Sequence, residues 1–206
     1  MIILTVEQAV EWMKVTQQKV SANKDLLTEL DQAIGDGDHG INLDRGFREV
    51  VAKIDDVTYD SVADVLKSVA MTLMAKVGGA SGPLYGTAFL KMATTMQGKE
   101  VDEVVFKEAV NKAVEGIKQR GKAAFGEKTL VDVWEQVANF LKEEPVEDWG
   151  ALPEVCQATM EDTREMMATK GRASYLKERS KGHVDPGSMS SYYIFEALAE
   201  VRKSEG

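Results

Sequence analysis

The stretch "DSVADVLKSVAMTLMAKV", residues 60–77, constrains the fold most. Its apolar residues Val62, Val65, Leu66, Val69, Ala70, Leu73, Met74 and Val77 recur at i, i+3, i+4 and i+7 for four turns, the spacing of a helix with one buried stripe. Such a stripe needs a partner, and the rest of the chain offers further helices. "TVEQAVEWMKVTQQKV" opens on Thr5 with Gln8 three positions on, a capping box. A second helix is expected over 24–33 with Leu26, Leu27, Leu30 and Ile34 inward, and a third over 41–54 with Leu43, Phe47, Val50, Val51 and Ile54 inward. Further helices fit 85–96, 102–119, 130–142, 152–169 and 188–201. No segment alternates as a strand does, so the chain reads as all-α, a bundle of about eight or nine helices.

The 206 residues suit one domain, 1–206, large enough for a substantial core. The acidic, proline-containing "EEPVEDWGALPE" reads as a loop within it. Acidic residues outnumber basic ones, 34 to 25. A net charge of -9 argues against nonspecific nucleic-acid binding, which depends on neutralising phosphates. The one cysteine, Cys156, has apolar neighbours and reads as a core position. No apolar run approaches a membrane span, and the N-terminus lacks a basic region and cleavage site. The expectation is a cytoplasmic protein with no membrane partner.

Four connections between the expected helices are rich in glycine and polar residues: "GDGDHG", "GGASGPLYG", "RGKAAFGEKT" and "KGRASYLKERSKGHVDPG". In an up-and-down bundle, alternate connections gather at one end, so several of these loops are expected to meet there.

The first loop carries Asp36 and Asp38, with Asp31 just before it. Three carboxylates brought together repel unless a cation neutralises them, and hard oxygen ligands suit Mg²⁺ or Ca²⁺. An EF-hand does not fit, because Phe47 stands where its bidentate Glu is needed. Mg²⁺ usually completes its shell with water and phosphate, which hints at a phosphate-bearing ligand. The other reading is a solvated turn, with Asp38 or Asn42 capping the third helix.

"VGGASGPLYG" puts small residues, Gly78 to Gly82, before a helix. There an anion can approach backbone N–H groups and the positive end of the helix dipole, with Ser81 as a further donor. It is neither a Walker A loop nor a dinucleotide fingerprint, and a tight interhelical turn is the other reading. The last loop concentrates Arg172, Lys177, Arg179, Lys181 and His183 in an acidic chain. Arg172 suits a phosphate fork; a solvated loop is the alternative.

The four motifs in order, "LDQAIGDGDHG", "GGASGPLYG", "GEKTLVDVW" and "KGRASYLKERSKGHVDPG", resemble the ADP-binding L subunits of bacterial dihydroxyacetone kinases coupled to the phosphoenolpyruvate phosphotransferase system. They are similar also to the C-terminal nucleotide domain of ATP-dependent dihydroxyacetone kinases. The resemblance covers essentially the whole chain. It implies an antiparallel barrel of eight helices with the nucleotide at one end. Asp31, Asp36 and Asp38 would hold two Mg²⁺ ions bridging the phosphates of tightly bound ADP. His39, Gly40, Ile41 and Asn42 would contact the nucleotide, and Ala80 and Ser81 its phosphates. Gly121, Thr129 and Leu130 would line the adenosine side. Arg172, the candidate catalytic group, would close over the site with Asp185, Pro186 and Gly187.

The resemblance also implies phosphoryl transfer to dihydroxyacetone held on a separate K subunit, with a phosphohistidine protein, the M subunit, as donor. An ATP-dependent kinase subunit with exchanging nucleotide is one alternative. A nucleotide-loaded module signalling to a transcription regulator is another, and a homodimer is compatible with each. Two positions depart from the family: Glu127 stands where Asp is frequent, and Lys177 where Gly is frequent.

Overall fold

The computed structural model describes residues 2–143 and 149–203, with the side chain of Glu143 left aside. Nine α-helices and one 3₁₀ stretch occur among the described residues: α1 Val6–Ala22, α2 Lys24–Ile34, α3 His39–Asp55, α4 Val62–Lys76, α5 Ser81–Met96, α6 Glu103–Gly121, α7 Leu130–Glu143, α8 Leu152–Asp162, the 3₁₀ stretch Arg172–Ser180, and α9 Pro186–Lys203. No strand occurs among them; Ile2 pairs with Asp102 in an isolated antiparallel bridge, and Ile3 N–H donates to the Val101 carbonyl at 2.7 Å. Residues 144–148 of the expected acidic loop lie outside the described residues.

The helices close a ring. In order, α1, α3, α4, α5, α6, α7, α8 and α9 each pack on the next, and α9 returns to α1. Short α2 sits outside this sequence, against α3 and α9. The expected eight-helix barrel is therefore the fold. Its centre is a train of edge-to-face aromatics: Trp12 on Phe89 at 5.7 Å, Phe89 on Trp134 at 6.1 Å, and Trp134 on Phe195 at 4.7 Å. These rings join α1, α5, α7 and α9, and all four are fully buried. Cys156 is buried as expected, and burial pushes its thiol pKa up.

Local signals set several boundaries. The Thr5–Gln8 capping box forms, with Gln8 N–H on Thr5 Oγ1 at 3.2 Å and Thr5 N–H on Gln8 Oε1 at 2.9 Å. Other expectations need correction. Helix α5 begins at Ser81, not Tyr85, because Pro83 falls in the first turn, where a missing N–H costs nothing. Helix α8 stops at Asp162, not at 169: the Thr163 hydroxyl turns back onto the Met160 carbonyl at 2.6 Å. Leu26, expected inward, is 40% exposed, and Met74 lies at the edge of its stripe.

Candidate nucleotide and metal site

Alternate connections of the ring do meet. Residues from the α2–α3, α4–α5, α6–α7 and α8–α9 connections line one cleft of about 270 Å³. The chain reverses tightly there and needs its small residues. A Cβ on Gly82 would sit 2.2 Å from the Val77 carbonyl, and one on Gly40 would sit 2.1 Å from the Lys24 carbonyl.

One wall is acidic. Asp31, Asp36 and Asp38 offer carboxylate oxygens that all lie within 4.8 Å of one another. The cap of α3 is not the one expected. Neither Asp38 nor Asn42 caps it; Asp31, one helix earlier, accepts the backbone N–H of Asp38 at 2.8 Å and of His39 at 3.1 Å through Oδ2. That leaves the Asp38 carboxylate unused by the helix it precedes. The positive partner at the cluster is Arg172, whose Nη2 lies 2.9 Å from Asp36 Oδ2. Three hard oxygen donors this close, two of them exposed to the cleft, fit a small divalent cation.

The start of α5 lines the same cleft. Ala80 precedes it, no side chain caps its first turn, and that turn holds no acidic residue. Its leading N–H groups therefore have no side-chain acceptor, the condition that favours an anion. Beyond it Leu84, Ile117, Ala123 and Leu130 form an apolar wall, with Gly121 and Thr129 at its margin. Asp185, Pro186 and Gly187 also line the cleft, Gly187 against Leu130, as do Lys170, Gly171 and Arg172.

Most of the site residues expected from sequence line this cleft: Asp31, Asp36, Asp38, His39, Asn42, Ala80, Ser81, Gly121, Thr129, Leu130, Arg172, Asp185, Pro186 and Gly187. Gly40 and Ile41 are not among the lining residues. Gly40 is packed on α2, and Ile41 is 52% exposed. The His39 ring turns inward: Nδ1 lies 3.0 Å from Ser81 Oγ and Nε2 2.9 Å from Ser190 Oγ. Burial lowers its pKa to about 4, against an opposing pull from Asp31.

Lys128 is a site residue that the sequence reading passes over. It is almost fully buried, and its ammonium donates to the carbonyls of Thr163 and His183, so it stitches the α6–α7 loop to the α8–α9 connection. Burial lowers its pKa, while Asp185 pulls it up. Burial raises the Asp185 carboxyl to about 7, although Ser188 N–H donates to it at 2.7 Å. Asp132 accepts the N–H groups of Gly126 and Thr129 at the head of α7. At the two departures from the family pattern, Glu127 accepts the Ala124 N–H at 2.7 Å and the Thr169 hydroxyl at 3.0 Å, and Lys177 adopts φ 51° and ψ −126°.

The DAK2 domain family matches residues 33–200, which hold every loop of this cleft. The chain belongs to the DAK2 domain family. Three relatives of this DAK2 chain are similar along nearly their whole length. It is 45% identical over 196 residues to the ADP-binding subunit DhaL of PEP-dependent dihydroxyacetone kinase 1 from Listeria innocua, covering 95% of this chain and 96% of that one. It is 44% identical over 199 residues to the ADP-binding subunit DhaL of the PTS-dependent kinase of Lactococcus lactis, covering 97% and 99%. The corresponding Escherichia coli subunit is 37% identical, covering 95% and 97%.

The DAK2 fold also matches solved structures. The dihydroxyacetone kinase of C. freundii in its native form superposes with a TM-score of 0.77 at 23% identity, over 97% of this chain and 35% of that one. The same enzyme in complex with AMP-PNP and Mg²⁺ gives 0.75 at 24%, over 93% and 33%. The DAK2 chain thus spans about a third of those structures, which bear on its fold alone.

Proposed function

We propose that this chain is the ADP-binding subunit of a phosphoenolpyruvate-dependent dihydroxyacetone kinase, a single nucleotide-binding domain over 1–206. It would take a phosphoryl group from a phosphohistidine protein of the phosphotransferase system and pass it to dihydroxyacetone on a K subunit, giving dihydroxyacetone phosphate. One observation carries the reading: a three-carboxylate cluster and an uncapped helix start line a single cleft. Near-full-length relatives named as ADP-binding subunits of such kinases support it.

Asp31, Asp36 and Asp38 would hold two Mg²⁺, which neutralise phosphate charge and align the phosphoryl group. The start of α5 at Ala80 and Ser81 would donate N–H groups to the phosphates. His39, Gly40, Ile41 and Asn42 would frame the first turn of α3 beside them. The wall at Leu130, with Gly121 and Thr129, would take the adenosine by apolar contact. Arg172, freed from Asp36, would stabilise charge on the transferring group, and Asp185, Pro186 and Gly187 would bound the nucleotide. No acid–base pair is required of this chain, because such transfer depends on positioning and charge. The hydroxyl that attacks would be prepared by the K subunit. A donor phosphorylated from phosphoenolpyruvate would be met in the cytoplasm; no helix among the described residues is long and apolar enough to cross a membrane.

Reconstitution tests the proposal. With K subunit, dihydroxyacetone and Mg²⁺, product should form with the phosphohistidine donor present. Product from free ATP alone would support the ATP-dependent kinase instead. No product with either phosphoryl source, with nucleotide still bound, would leave the regulatory module that signals to a transcription factor.

A further inference from the structure

Behind Ser81 lies a line of buried polar side chains that the proposed function does not use. Trp134 Nε1 is 3.1 Å from Ser191 Oγ, and Ser191 Oγ is 2.9 Å from the Tyr85 hydroxyl. The Tyr85 hydroxyl is 2.5 Å from Ser190 Oγ, which is 2.9 Å from His39 Nε2. His39 Nδ1 then faces Ser81 Oγ at 3.0 Å. Trp134, Tyr85, Ser190 and Ser191 are fully buried, and His39 nearly so. The line runs from the aromatic centre of the barrel to the cleft.

We propose that Trp134, Ser191, Tyr85 and Ser190 form a one-way chain of hydrogen bonds that holds His39 as its Nδ1–H tautomer and so turns the Ser81 hydroxyl proton toward a phosphate oxygen in the cleft. The inference rests on the nucleotide-binding reading above. Its direction follows from donor counting. An indole N–H only donates, so Ser191 accepts from Trp134 and has its own proton for Tyr85. Tyr85 has one proton and passes it to Ser190; Ser190 passes its proton to Nε2. The ring proton then stands on Nδ1 and is donated to Ser81. Ser81 accepts inward and keeps its proton for the ligand. Burial raises the Tyr85 pKa, which keeps that proton in place.

The competing arrangement uses backbone carbonyls. Tyr85 and Ser190 also lie 3.0 and 3.1 Å from the Gly187 carbonyl, and the Pro186 carbonyl lies beside the His39 ring. If those carbonyls took the protons, Nε2–H would donate to Ser190 and the Ser81 proton would be drawn inward onto Nδ1. Ser81 would then offer only lone pairs to an anion. The Tyr85–Ser190 link, shorter than either bond to Gly187, puts a proton between the two hydroxyls. With Ser191 donating to Tyr85, that proton is the one Tyr85 carries, which favours the hydroxyl chain. Tyr85 and Ser190 are thus positioning residues, acting through His39 on Ser81.

The chain has two histidines, so ¹⁵N-histidine NMR reads the tautomer directly, with His183→Gln assigning the signals. Nδ1–H is expected in the free protein and in the Mg²⁺–ADP complex. Tyr85→Phe should shift His39 toward Nε2–H and weaken ADP about tenfold, the scale of one hydrogen bond to a charged group. Ser81→Ala should weaken ADP similarly, and the double variant should be no worse than the worse single one. If Tyr85→Phe does not fold, Ser190→Ala breaks the next link and carries the same expectations. Nε2–H in the wild-type complex, or additive losses in the double variant, would overturn the proposal while leaving the nucleotide reading intact. Wild-type protein that binds no ADP with Mg²⁺ would overturn that reading instead, with the free-protein spectrum still deciding the tautomer.

Discussion

The Arg172 guanidinium rests on Asp36, with Nη2 2.9 Å from Oδ2. The first residue of the 3₁₀ stretch thus supplies positive charge to one of three clustered carboxylates. The pair is largely exposed and contributes little to stability. Its interest is geometric: a cation taking Asp36 would release Arg172 into the cleft. Asp36→Ala is expected to abolish Mg²⁺-dependent nucleotide retention and activity together. Arg172→Ala should slow phosphoryl transfer more than it weakens ADP retention. Equal losses in transfer rate and retention would make Arg172 a plain binding residue, and an Asp36 variant holding ADP normally would remove the metal assignment.

Lys177 holds a backbone conformation, φ 51° and ψ −126°, that suits glycine. Strain of this kind costs about 1–3 kcal/mol, partly offset by the freedom a glycine would gain on unfolding. Lys177→Gly should therefore steady the 3₁₀ stretch by about 1 kcal/mol. Hydrogen exchange of the Ser174 and Lys181 amides, which bond to the Gly171 and Glu178 carbonyls, should slow several-fold. Faster exchange would show that Lys177 contributes more through contacts than it costs in strain.

Lys128 is worth more as a staple than its surface-type side chain suggests. Replacing it with Met keeps the volume but leaves the Thr163 and His183 carbonyls without their donor. The buried Thr163 carbonyl left unpaired costs about 2 kcal/mol, and the part-buried His183 carbonyl adds less. Urea unfolding of Lys128→Met should show a loss of that size. A loss under about 0.5 kcal/mol, the range of an ordinary surface change, would mean that the loops close without it.

Asp185 gives stability a pH dependence. Its folded pKa stands at about 7, above the ordinary 3.8, because burial disfavours the carboxylate. The folded state therefore binds more protons than the unfolded state between those values. This contribution is full below about pH 4 and is lost as pH rises through about 7. Asp185→Asn removes it, so the variant's stability relative to wild type should climb on the order of 3 kcal/mol from pH 4 to pH 8. The lowered His39 pKa acts in the opposite direction but is common to both proteins and cancels. Urea midpoints whose difference stays constant with pH would contradict the assignment.

Helices and loops differed in how far the sequence revealed them. The α4 stripe and the Thr5 capping box depend on neighbours three and four positions apart, so periodicity finds them. The meeting of four glycine loops followed from up-and-down connectivity. Other features arise between residues far apart in the chain. Asp31 caps α3 from the preceding helix, Lys128 reaches carbonyls 35 and 55 positions on, and His39 meets Ser190 151 positions away. Lysine and serine carry no periodic signal to announce such contacts. Leu26 has the composition of a core position, yet the face it occupies on α2 stays outside the ring.

The central claim is that the acidic wall holds metal and that the metal holds a nucleotide. Protein purified with Mg²⁺ and no added nucleotide, then denatured, should release ADP in near-stoichiometric amount, identified by chromatography and mass spectrometry. Protein that releases no nucleotide, and binds neither ADP nor ATP when either is supplied with Mg²⁺, would contradict it.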